Sequence, residues 1–460
     1  MFLKVKVLFK YHVNNIANGI DKILPNFGSM PILNKIKIKK TSKIRALVPI
    51  MPKIKNSLII FLDGIFTISF LENIFFYLTQ IITRLSVYFF LNLTSKKIFE
   101  KLFFIAHIYN MNLKKVIVLG NLGYIGPILV QYLRSLSKNL EIIGYDTGFF
   151  QGCLLNPEHN YDRYLSQQIY GDIRLFNNKI LENTDAIICL AAISNDPIGD
   201  IYEKQTTDIN AKSSFDLAKA AKRAGVKKFI YASSCSVYGV SNIDAKNENA
   251  ELNPLTAYSR SKISCEKRLK ELINNDFSVT CLRFATACGY SPRLRLDLVL
   301  NDFVANALIN KKIELLSDGS AWRPIIDVND MSRSIVWALN RDVGNTPFIA
   351  LNIGKDDWNF TIKDLAESVK NIIPNVNLTF ANNSLPDKRS YKVDFSLFKS
   401  LAPNHQPIKK LSETIKDIAD GISNSNFRTK DFRKSHLVRL NTLNYLKKHN
   451  LINSNLEWIK

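Results

Sequence analysis

Residues 116–127 read VIVLGNLGYIGP, an apolar run that leads directly into a cluster of three glycines. The run Val116–Gly120 predicts a buried strand, and the residues after the cluster have the spacing of a helix. Gly120 permits a tight turn, Gly123 lets the backbone approach a pyrophosphate, and Gly126 allows close packing of helix on strand. Unpaired N–H groups at the start of that helix favour phosphate. The predicted cofactor-binding residues of this turn are Gly120, Gly123, Tyr124, Ile125 and Gly126.

Asp146 supplies the second part of a dinucleotide site. It ends the next apolar run, Glu141–Asp146, and lies 20 residues after Gly126. A carboxylate at this spacing binds the hydroxyl groups of the adenosine ribose. The same carboxylate repels a 2′-phosphate, so the sequence predicts NAD rather than NADP as the cofactor.

Strand and helix patterns alternate beyond this unit. Strands are predicted at Val116–Gly120, Glu141–Asp146, Ala186–Ala192, Lys228–Ser234 and Ser278–Ala285, and helices at Tyr124–Ser137, Thr206–Ala224 and Ala257–Leu272. Short strands that alternate with longer helices are typical of βαβ units and a parallel sheet. The predicted fold class is α/β, a doubly wound parallel (Rossmann) sheet with a smaller C-terminal substrate-binding lobe.

The predicted organisation has three parts. Residues 1–110 are an N-terminal extension, residues 111–290 the NAD-binding Rossmann domain, and residues 291–460 the substrate-binding lobe, with some segments returning to the main sheet. Within the lobe, helices are predicted at Asp297–Asn310 and Thr361–Ile372, and strands at Ile313–Leu316 and Ile325–Val328. Residues 427–460 are predicted to form an amphipathic helix that packs on the lobe through Leu437, Leu440, Leu443 and Leu446.

The net charge of +22 is concentrated near the start of the chain. Residues 1–110 hold 14 Lys and 2 Arg against 4 acidic residues, which accounts for +12. The remainder is modestly basic and contains no recognisable nucleic-acid-binding module, so no nucleic-acid partner is expected. The six cysteines form no CxxC pair and no cluster with histidine. We therefore expect neither a disulfide scaffold nor a metal site, and a reducing, cytoplasmic compartment.

Residues 1–110 allow three interpretations. The apolar stretch Leu58–Leu93 includes Asp63, Glu72 and Arg84, so every window of ~20 residues contains a charge that is costly inside a bilayer. The segment is then a translated extension upstream of a start at Met111 that does not belong to the native protein, an anchor for peripheral membrane association, or a folded helical domain.

A catalytic constellation lies downstream of the fourth predicted strand. Ser234 closes that strand, and Tyr258 and Lys262 follow at the start of a helix. Their four-residue spacing places Tyr258 and Lys262 on one helical face. A nearby ammonium and a positively charged nicotinamide both favour the phenolate form of tyrosine, which makes it a usable general base. The predicted catalytic residues are Tyr258 as the base, Lys262 as its cationic neighbour and Ser234 as the group that orients the substrate hydroxyl.

With these motifs in place, residues 111–460 resemble the extended short-chain dehydrogenase/reductase family, in its NAD-dependent nucleotide-sugar epimerase/dehydratase branch. The segments that carry the resemblance are GNLGYIG at 120–126, GDIR at 171–174, LAAISNDP at 190–197, YASSCSVYG at 231–239, YSRSK at 258–262, LRFATACG at 282–289, DGSAWRPIIDVND at 318–330 and PDKRSYKVDF at 386–395.

The resemblance implies further cofactor and substrate contacts. The implied cofactor-binding residues are Asp172 and Ile173 at the adenine, Leu190, Ala191, Ala192 and Asn210 along the cofactor, and Tyr258, Lys262, Phe284 and Ala285 at the nicotinamide end. The implied substrate-binding residues are Ser234, Asn301, Arg323 and Arg389, where the family contacts a nucleotide-diphosphate sugar; guanidinium groups suit a pyrophosphate. The resemblance also implies a homodimer.

The residues after Ser234 bear on the reaction type. The resemblance implies oxidation of a sugar hydroxyl to a keto-sugar. At the positions that correspond to those after Ser234, the 4,6-dehydratases of the family carry an Asp-Glu pair, and decarboxylating relatives carry a Glu. This chain has Cys235 and Ser236 there, and neither acts as a carboxylate acid or base at neutral pH. An epimerase that works through a transient keto-sugar is therefore favoured, with Cys235 a minor acid–base candidate and more simply a buried apolar residue. The alternatives are a dehydratase or reductase of the same family, and a non-catalytic NAD-binding sensor or scaffold.

Overall fold

The chain is built around a central sheet of seven parallel strands. This computed structural model describes residues 113–240, 244–315, 317–380 and 390–459. Its strands are β1 (Lys115–Leu119), β2 (Glu141–Asp146), β3 (Gln167–Tyr170), β4 (Ala186–Cys189), β5 (Lys228–Ser234), β6 (Ser278–Phe284), β7 (Thr286–Cys288), β8 (Lys312–Leu315), β9 (Trp322–Asp327), β10 (Phe348–Ile353), β11 (Asn359–Thr361) and β12 (Asn377–Phe380).

The helices alternate with these strands. They are α1 (Gly126–Leu136), α2 (Asp196–Ile201), α3 (Glu203–Thr207), α4 (Ser214–Arg223), α5 (Ala257–Lys270), α6 (Val299–Asn310), α7 (Val328–Asn340), α8 (Ile362–Ile372), α9 (Ser396–Leu401), α10 (Leu411–Ser423) and α11 (Arg439–Lys448). A π-helical segment, Asp208–Ser213, joins α3 to α4.

The order of the strands confirms the predicted fold class. The sheet runs β10-β6-β5-β4-β1-β2-β3, and every neighbouring pair is parallel. The chain leaves β1 in one direction through β2 and β3, then returns to β4 on the other side. Such a reversal opens a crevice at the carboxyl ends of the two central strands, where ligands bind in doubly wound folds. Here that crevice lies between Leu119 at the end of β1 and Cys189 at the end of β4.

Both faces of the sheet are covered. Val116 and Val118 of β1 belong to one apolar cluster, which includes residues of α1 and α7. Ile117 and Leu119 belong to another, which includes residues of α4 and α5. A parallel strand covered on both faces reads as a continuous apolar run rather than an alternating one, which explains why VIVL is uninterrupted.

Two smaller sheets lie beyond residue 285, and so does most of a third apolar cluster, which also includes Tyr124 and Leu155. β7, β9 and β11 form a three-stranded sheet, and β8 pairs with β12. The third cluster draws on α6, α8 and α10. β10 stands between these elements in the chain, after β9 and before β11, but it pairs with β6 of the central sheet, with Phe348 opposite Val279.

The helix predicted at Thr206–Ala224 is longer and less regular than its pattern indicated. It comprises α3, the π-helical segment and α4, which ends at Arg223, and Gly225 follows the C-cap with a φ of +82°. The Gly225 N–H donates to Lys222 O, and the Val226 N–H donates to Ala221 O. This is a glycine C-cap, in which the residue after the helix takes the left-handed conformation.

The prediction for the C-terminal tail was wrong in two respects. Helix α11 covers ten residues only, and Asn450, with a φ of +54°, stands two residues beyond its end. Leu437 belongs to the third cluster, as predicted, but Leu443 and Leu446 pack against Ile198 of α2 and against Tyr202. The spacing of the leucines predicted the buried face of the helix correctly. The residues that this face packs against depend on where the preceding segment places the helix.

Residues 1–110, with their three interpretations, lie outside the described residues. Across the described ranges, no helix is long and apolar enough to cross a membrane. No group of His, Cys, Asp and Glu within those ranges could hold a metal ion. All six cysteines are buried and unpaired.

Candidate active site

The glycine turn after β1 has the geometry of a phosphate cradle. Gly120 has a φ of +80°, and a side chain there would place its Cβ 2.6 Å from the backbone nitrogen of Ala191. At Gly123 the nearest heavy atom to such a Cβ is the Gly120 carbonyl oxygen at 3.1 Å, and the pocket side is open. Helix α1 follows with no side chain capping its first N–H groups. The turn therefore offers unpaired amide donors to an anion, which fits the pyrophosphate of a dinucleotide.

Asp146 lies at the carboxyl end of β2, beside this turn. Its Oδ1 accepts from the Gly148 N–H at 2.8 Å, and its Oδ2 accepts from the Leu122 N–H at 3.1 Å. Burial raises the pKa of Asp146, and the two backbone hydrogen bonds oppose that rise. The bonds fix the carboxylate at the rim of the cavity, where it can accept hydrogen bonds from a ribose.

Ser234, Tyr258 and Lys262 meet at the opposite end of the same cavity. Helix α5 begins at Ala257 behind a Thr256 capping box, so Tyr258 and Lys262 lie on its first turns. The Lys262 Nζ donates to Ala232 O at 2.7 Å and lies 5.5 Å from the centre of the Tyr258 ring. Ser234 ends β5, and its hydroxyl is hydrogen-bonded to the Tyr258 side chain and accepts from the Ser236 N–H.

The protonation of Tyr258 differs from the expectation that a nearby lysine favours its phenolate. Burial raises the pKa of Tyr258 to about 12. The hydrogen bond from Ser234 and the positive charge of Arg295 lower the pKa, but burial outweighs them. Lys262 is itself buried, and burial lowers the pKa of its ammonium. Without a cationic nicotinamide the phenol is therefore neutral at physiological pH.

Cys235 does not face the cavity. Its thiol is fully buried and donates to Arg283 O at 3.0 Å, and burial raises the pKa of the thiol far above its ordinary value. A neutral buried thiol cannot act as a general base, so the apolar role favoured for Cys235 is the one the structure supports. The neighbouring Ser236 does line the cavity, and its Oγ is buried without a hydrogen-bond partner among the described residues.

Most of the predicted site residues line one cavity of about 660 Å³. They are Gly120, Gly123, Tyr124, Ile125, Asp146, Asp172, Ile173, Leu190, Ala191, Ala192, Ser234, Tyr258, Lys262, Phe284, Ala285 and Arg323. Gly126 lies behind the turn, where a side chain would meet Asn121 O at 2.0 Å. Arg389 lies outside the described residues.

Asn210 and Asn301 do not line the cavity, and their predicted contacts with cofactor and substrate stay predictions. Asn210 is fully buried; its Oδ1 accepts from the Ile193 N–H and its Nδ2 donates to Ile193 O and Ser261 Oγ. Asn301 is also fully buried, with hydrogen bonds to Gly289 N, Tyr124 OH and Arg295 O. Each amide therefore holds cavity-lining segments in place. The π-helical segment that contains Asn210 is the type of helical irregularity that occurs at functional sites.

Several cavity residues were not predicted individually. Asp196 and Tyr391 line the cavity, and the charge of Asp196 raises the pKa of both Tyr258 and Tyr391. Arg295 and Asp297 form a buried ion pair of 2.8 Å, and the charge of Arg295 lowers the pKa of Tyr258. Arg439 reaches the cavity from the C-terminal tail. Two sequence signals could have identified some of these cavity residues: the charged residues in SNDP at 194–197 and in RLRLD at 293–297. Charged side chains so close to apolar runs are rarely buried without a partner.

Comparisons with known proteins agree with this geometry. A profile of the NAD dependent epimerase/dehydratase family matches residues 116–354, more than half of the chain. The chain is 27% identical over 278 residues to dTDP-D-glucose 4,6-dehydratase of Dictyostelium discoideum, and the match covers 56% of this chain and 62% of that protein. It is 27% identical over 313 residues to UDP-glucuronic acid decarboxylase 6 of Arabidopsis thaliana, covering 65% of this chain and 86% of that protein.

A solved structure extends the comparison. UDP-glucuronic acid 4-epimerase from Bacillus cereus in complex with NAD superimposes with a TM-score of 0.58 at 25% identity, covering 67% of this chain and 96% of that one. The three relatives are named for three different reactions, so they agree on the family rather than on one activity. The chain belongs to the NAD-dependent epimerase/dehydratase family, and its cofactor is NAD.

Proposed function

We propose that this protein is an NAD-dependent nucleotide-sugar epimerase. The observation that carries the proposal is that the dinucleotide turn and the Ser234–Tyr258–Lys262 set face one cavity, while the two positions after Ser234 hold no carboxylate. Nucleotide sugars appear in the names of the relatives. Arg323, buried at the edge of the cavity, supports a diphosphate-bearing substrate because guanidinium binds phosphate well.

Tyr258 would act in both halves of the reaction. When bound, NAD accepts a hydride from a sugar carbon and later returns it. The Tyr258 oxygen takes the proton of the sugar hydroxyl during oxidation and gives it back during reduction. Ser234, hydrogen-bonded to Tyr258, holds the hydroxyl in line. Epimerisation requires no second acid–base pair, because the keto-sugar needs only to present its other face.

Replacing Tyr258 by Phe tests the assigned base. We expect Tyr258→Phe to keep NAD bound and to lose about 10²- to 10⁴-fold in kcat, the usual contribution of a general base. The measurement is conversion of a panel of UDP-, GDP-, dTDP- and CDP-sugars, with product stereochemistry by NMR. Tyr445→Phe, an exposed tyrosine on α11, is the matched control. Near-wild-type turnover by Tyr258→Phe would overturn the assignment.

A dehydratase is the second candidate, and one observation favours it. Asp196 lines the same cavity, and its negative charge raises the pKa of both Tyr258 and Tyr391. Elimination of water needs a further acid–base group, which a carboxylate so placed could supply. The same product analysis separates the candidates: an epimerase inverts one stereocentre, whereas a dehydratase removes a hydroxyl and leaves a stable keto-sugar.

Two broader alternatives have their own measurements. Protein that holds NAD but converts none of the four sugar-nucleotide classes would favour a non-catalytic sensor or scaffold. The homodimer stays a prediction, which light scattering of the purified protein tests. Peripheral membrane association through residues 1–110 also stays a prediction, and fractionation of the full chain against a version beginning at Met111 tests it.

A further inference from the structure

The C-terminal tail packs on the cofactor half of the molecule. Leu443, Leu446, Ile452 and Leu456 form an apolar cluster with Ile198 and Tyr202, and Phe149, Phe150 and Ile193 pack against it. Phe149 and Phe150 belong to the loop that follows Asp146. These tail residues lie beyond the segment matched by the family profile, 116–354. The tail therefore brings additional side chains to the dinucleotide site.

Three buried arginines meet where the tail reaches the cavity, and two of them are neutralised. Arg293 pairs with Asp162 at 3.0 Å, and Arg295 pairs with Asp297 at 2.8 Å. Arg439, the first residue of α11, is 4% exposed. Within the described ranges, no carboxylate oxygen lies within 4 Å of its guanidinium nitrogens.

The hydrogen bonds of Arg439 are incomplete. Its Nη2 donates to Arg293 O at 2.7 Å, and its guanidinium lies over the Phe150 ring at 5.3 Å. Its Nη1 is buried and has no hydrogen-bond partner among the described residues. Burying a cation with an unmade hydrogen bond costs free energy. A buried cation that lines a cavity and has an unmade hydrogen bond is suited to bind an anionic group of a ligand.

The surroundings of Arg439 indicate which anion. Arg293, whose carbonyl holds Arg439, has a positive charge that lowers the pKa of Asp146. Two residues earlier, Ser291 Oγ donates to Tyr124 O in the glycine turn at 2.7 Å. The Arg439 guanidinium is thus linked through Arg293 and Ser291 to the wall that carries the glycine turn, while its charge also acts on Asp297.

We propose that the guanidinium of Arg439, which lines the cavity, binds the diphosphate of NAD. The glycine turn supplies neutral amide donors, and Arg439 would add a full positive charge from a segment outside the dinucleotide-binding unit. Charge-assisted hydrogen bonds from arginine to phosphate are among the strongest in proteins. The proposal rests on NAD as the cofactor and is independent of whether the reaction is epimerisation.

The test compares ligands with and without a diphosphate. Calorimetry on the full chain measures the Kd of NAD, ADP-ribose and adenosine for the wild type, Arg439→Met and the control Lys448→Met, which removes an exposed cation from the same helix. We expect Arg439→Met to weaken NAD and ADP-ribose about 10- to 100-fold, the value of one charge-assisted hydrogen bond. Adenosine affinity should stay within about twofold, and Lys448→Met should match the wild type.

Three outcomes would contradict the proposal. Equal losses for ADP-ribose and adenosine would show that Arg439 only supports the pocket, and unchanged values would show that it does not reach the diphosphate. Weaker UDP binding with unchanged NAD would assign Arg439 to the substrate. Arg439→Lys, which keeps the charge but lacks the forked donor, should lose less ADP-ribose affinity and decides the matter if Arg439→Met does not fold. A wild type that converts no sugar nucleotide would count against the proposed function alone.

Discussion

The chemistry of the site depends on how a single phenol is held. Burial favours the protonated form of Tyr258, while the Ser234 hydrogen bond and the charge of Arg295 favour the phenolate. A base with a pKa far above neutrality is mostly protonated, so its activity depends on every group that lowers this value. Ser234 therefore has two roles in the proposed mechanism, because it orients the substrate and lowers the pKa of Tyr258.

Replacing Ser234 by Ala separates these two roles. Loss of the hydrogen bond raises the pKa of Tyr258, so a smaller fraction is phenolate at any pH below that value. We expect the rising limb of the pH–kcat/KM profile to move to higher pH, and kcat at neutral pH to fall about 10- to 100-fold. A fall in kcat with an unmoved pH profile would mean that Ser234 orients the substrate without affecting the base.

At the scale of elements, a buried charge network joins β5, β6 and α5 beneath the catalytic residues. Arg283 Nη2 and Glu266 Oε2 are 2.7 Å apart, and both side chains are almost fully buried. Ser233 Oγ donates to Glu266, and Arg283 also donates to Tyr238 OH. Because Ser233 precedes Ser234 and Glu266 lies one helical turn beyond Lys262, this network sets the spacing between strand end and helix.

Breaking the Arg283–Glu266 ion pair should destabilise the folded protein. Glu266→Ala leaves the Arg283 guanidinium buried and unpaired, so we expect the free energy of unfolding to fall by about 3–5 kcal/mol. Glu271→Ala, an exposed position at the end of the same helix, should change it by less than about 0.5 kcal/mol. Urea unfolding monitored by circular dichroism gives both values. Similar losses for the two variants would contradict a structural role for the buried pair.

At the scale of the molecule, the C-terminal residues pack on the segments that follow β2 and β3, beside the cavity. Trp458 Nε1 donates to Thr147 O at 2.7 Å, and the Trp458 ring packs against Phe149. Arg174, which pairs with Asp172, also donates to Asn455 O and Leu456 O. Leu456 itself lines the cavity. The last residues of the chain thus complete a site that begins with β1.

Removing residues 449–460 should open this end of the site. The truncation takes away the contacts to Thr147 and Arg174 and exposes Phe149, so we expect NAD to dissociate on the order of tenfold faster. Displacement of NADH followed by stopped-flow fluorescence measures the rate. Ile459→Ala, a change at an exposed side chain, is the control. An unchanged dissociation rate in a folded truncation would show that the tail does not retain the cofactor.

Features that depend on short spacing could be predicted from the amino-acid sequence. The glycine turn, Asp146 at the end of the second strand and the Tyr258–Lys262 pair are each defined within one βα unit or one helical turn. Local geometry is the same wherever such a unit stands, so the doubly wound fold and most of the residues that line the cavity could be predicted. The predicted helix boundaries differ from the observed ones by a few residues, because periodicity does not resolve frayed ends and irregular turns.

Which side chains from distant segments face the cavity depends on the folded arrangement of those segments. Asn210 and Asn301 match the resemblance in sequence but turn inward, because their amides satisfy backbone groups that would otherwise be buried unpaired. Arg439 reaches the cavity because its helix packs beside residues that precede it by 146 positions and more. The spacing of residues along the sequence does not predict such a contact between distant segments. It follows from the way separate segments bury their apolar faces against one another, and only the folded chain shows it.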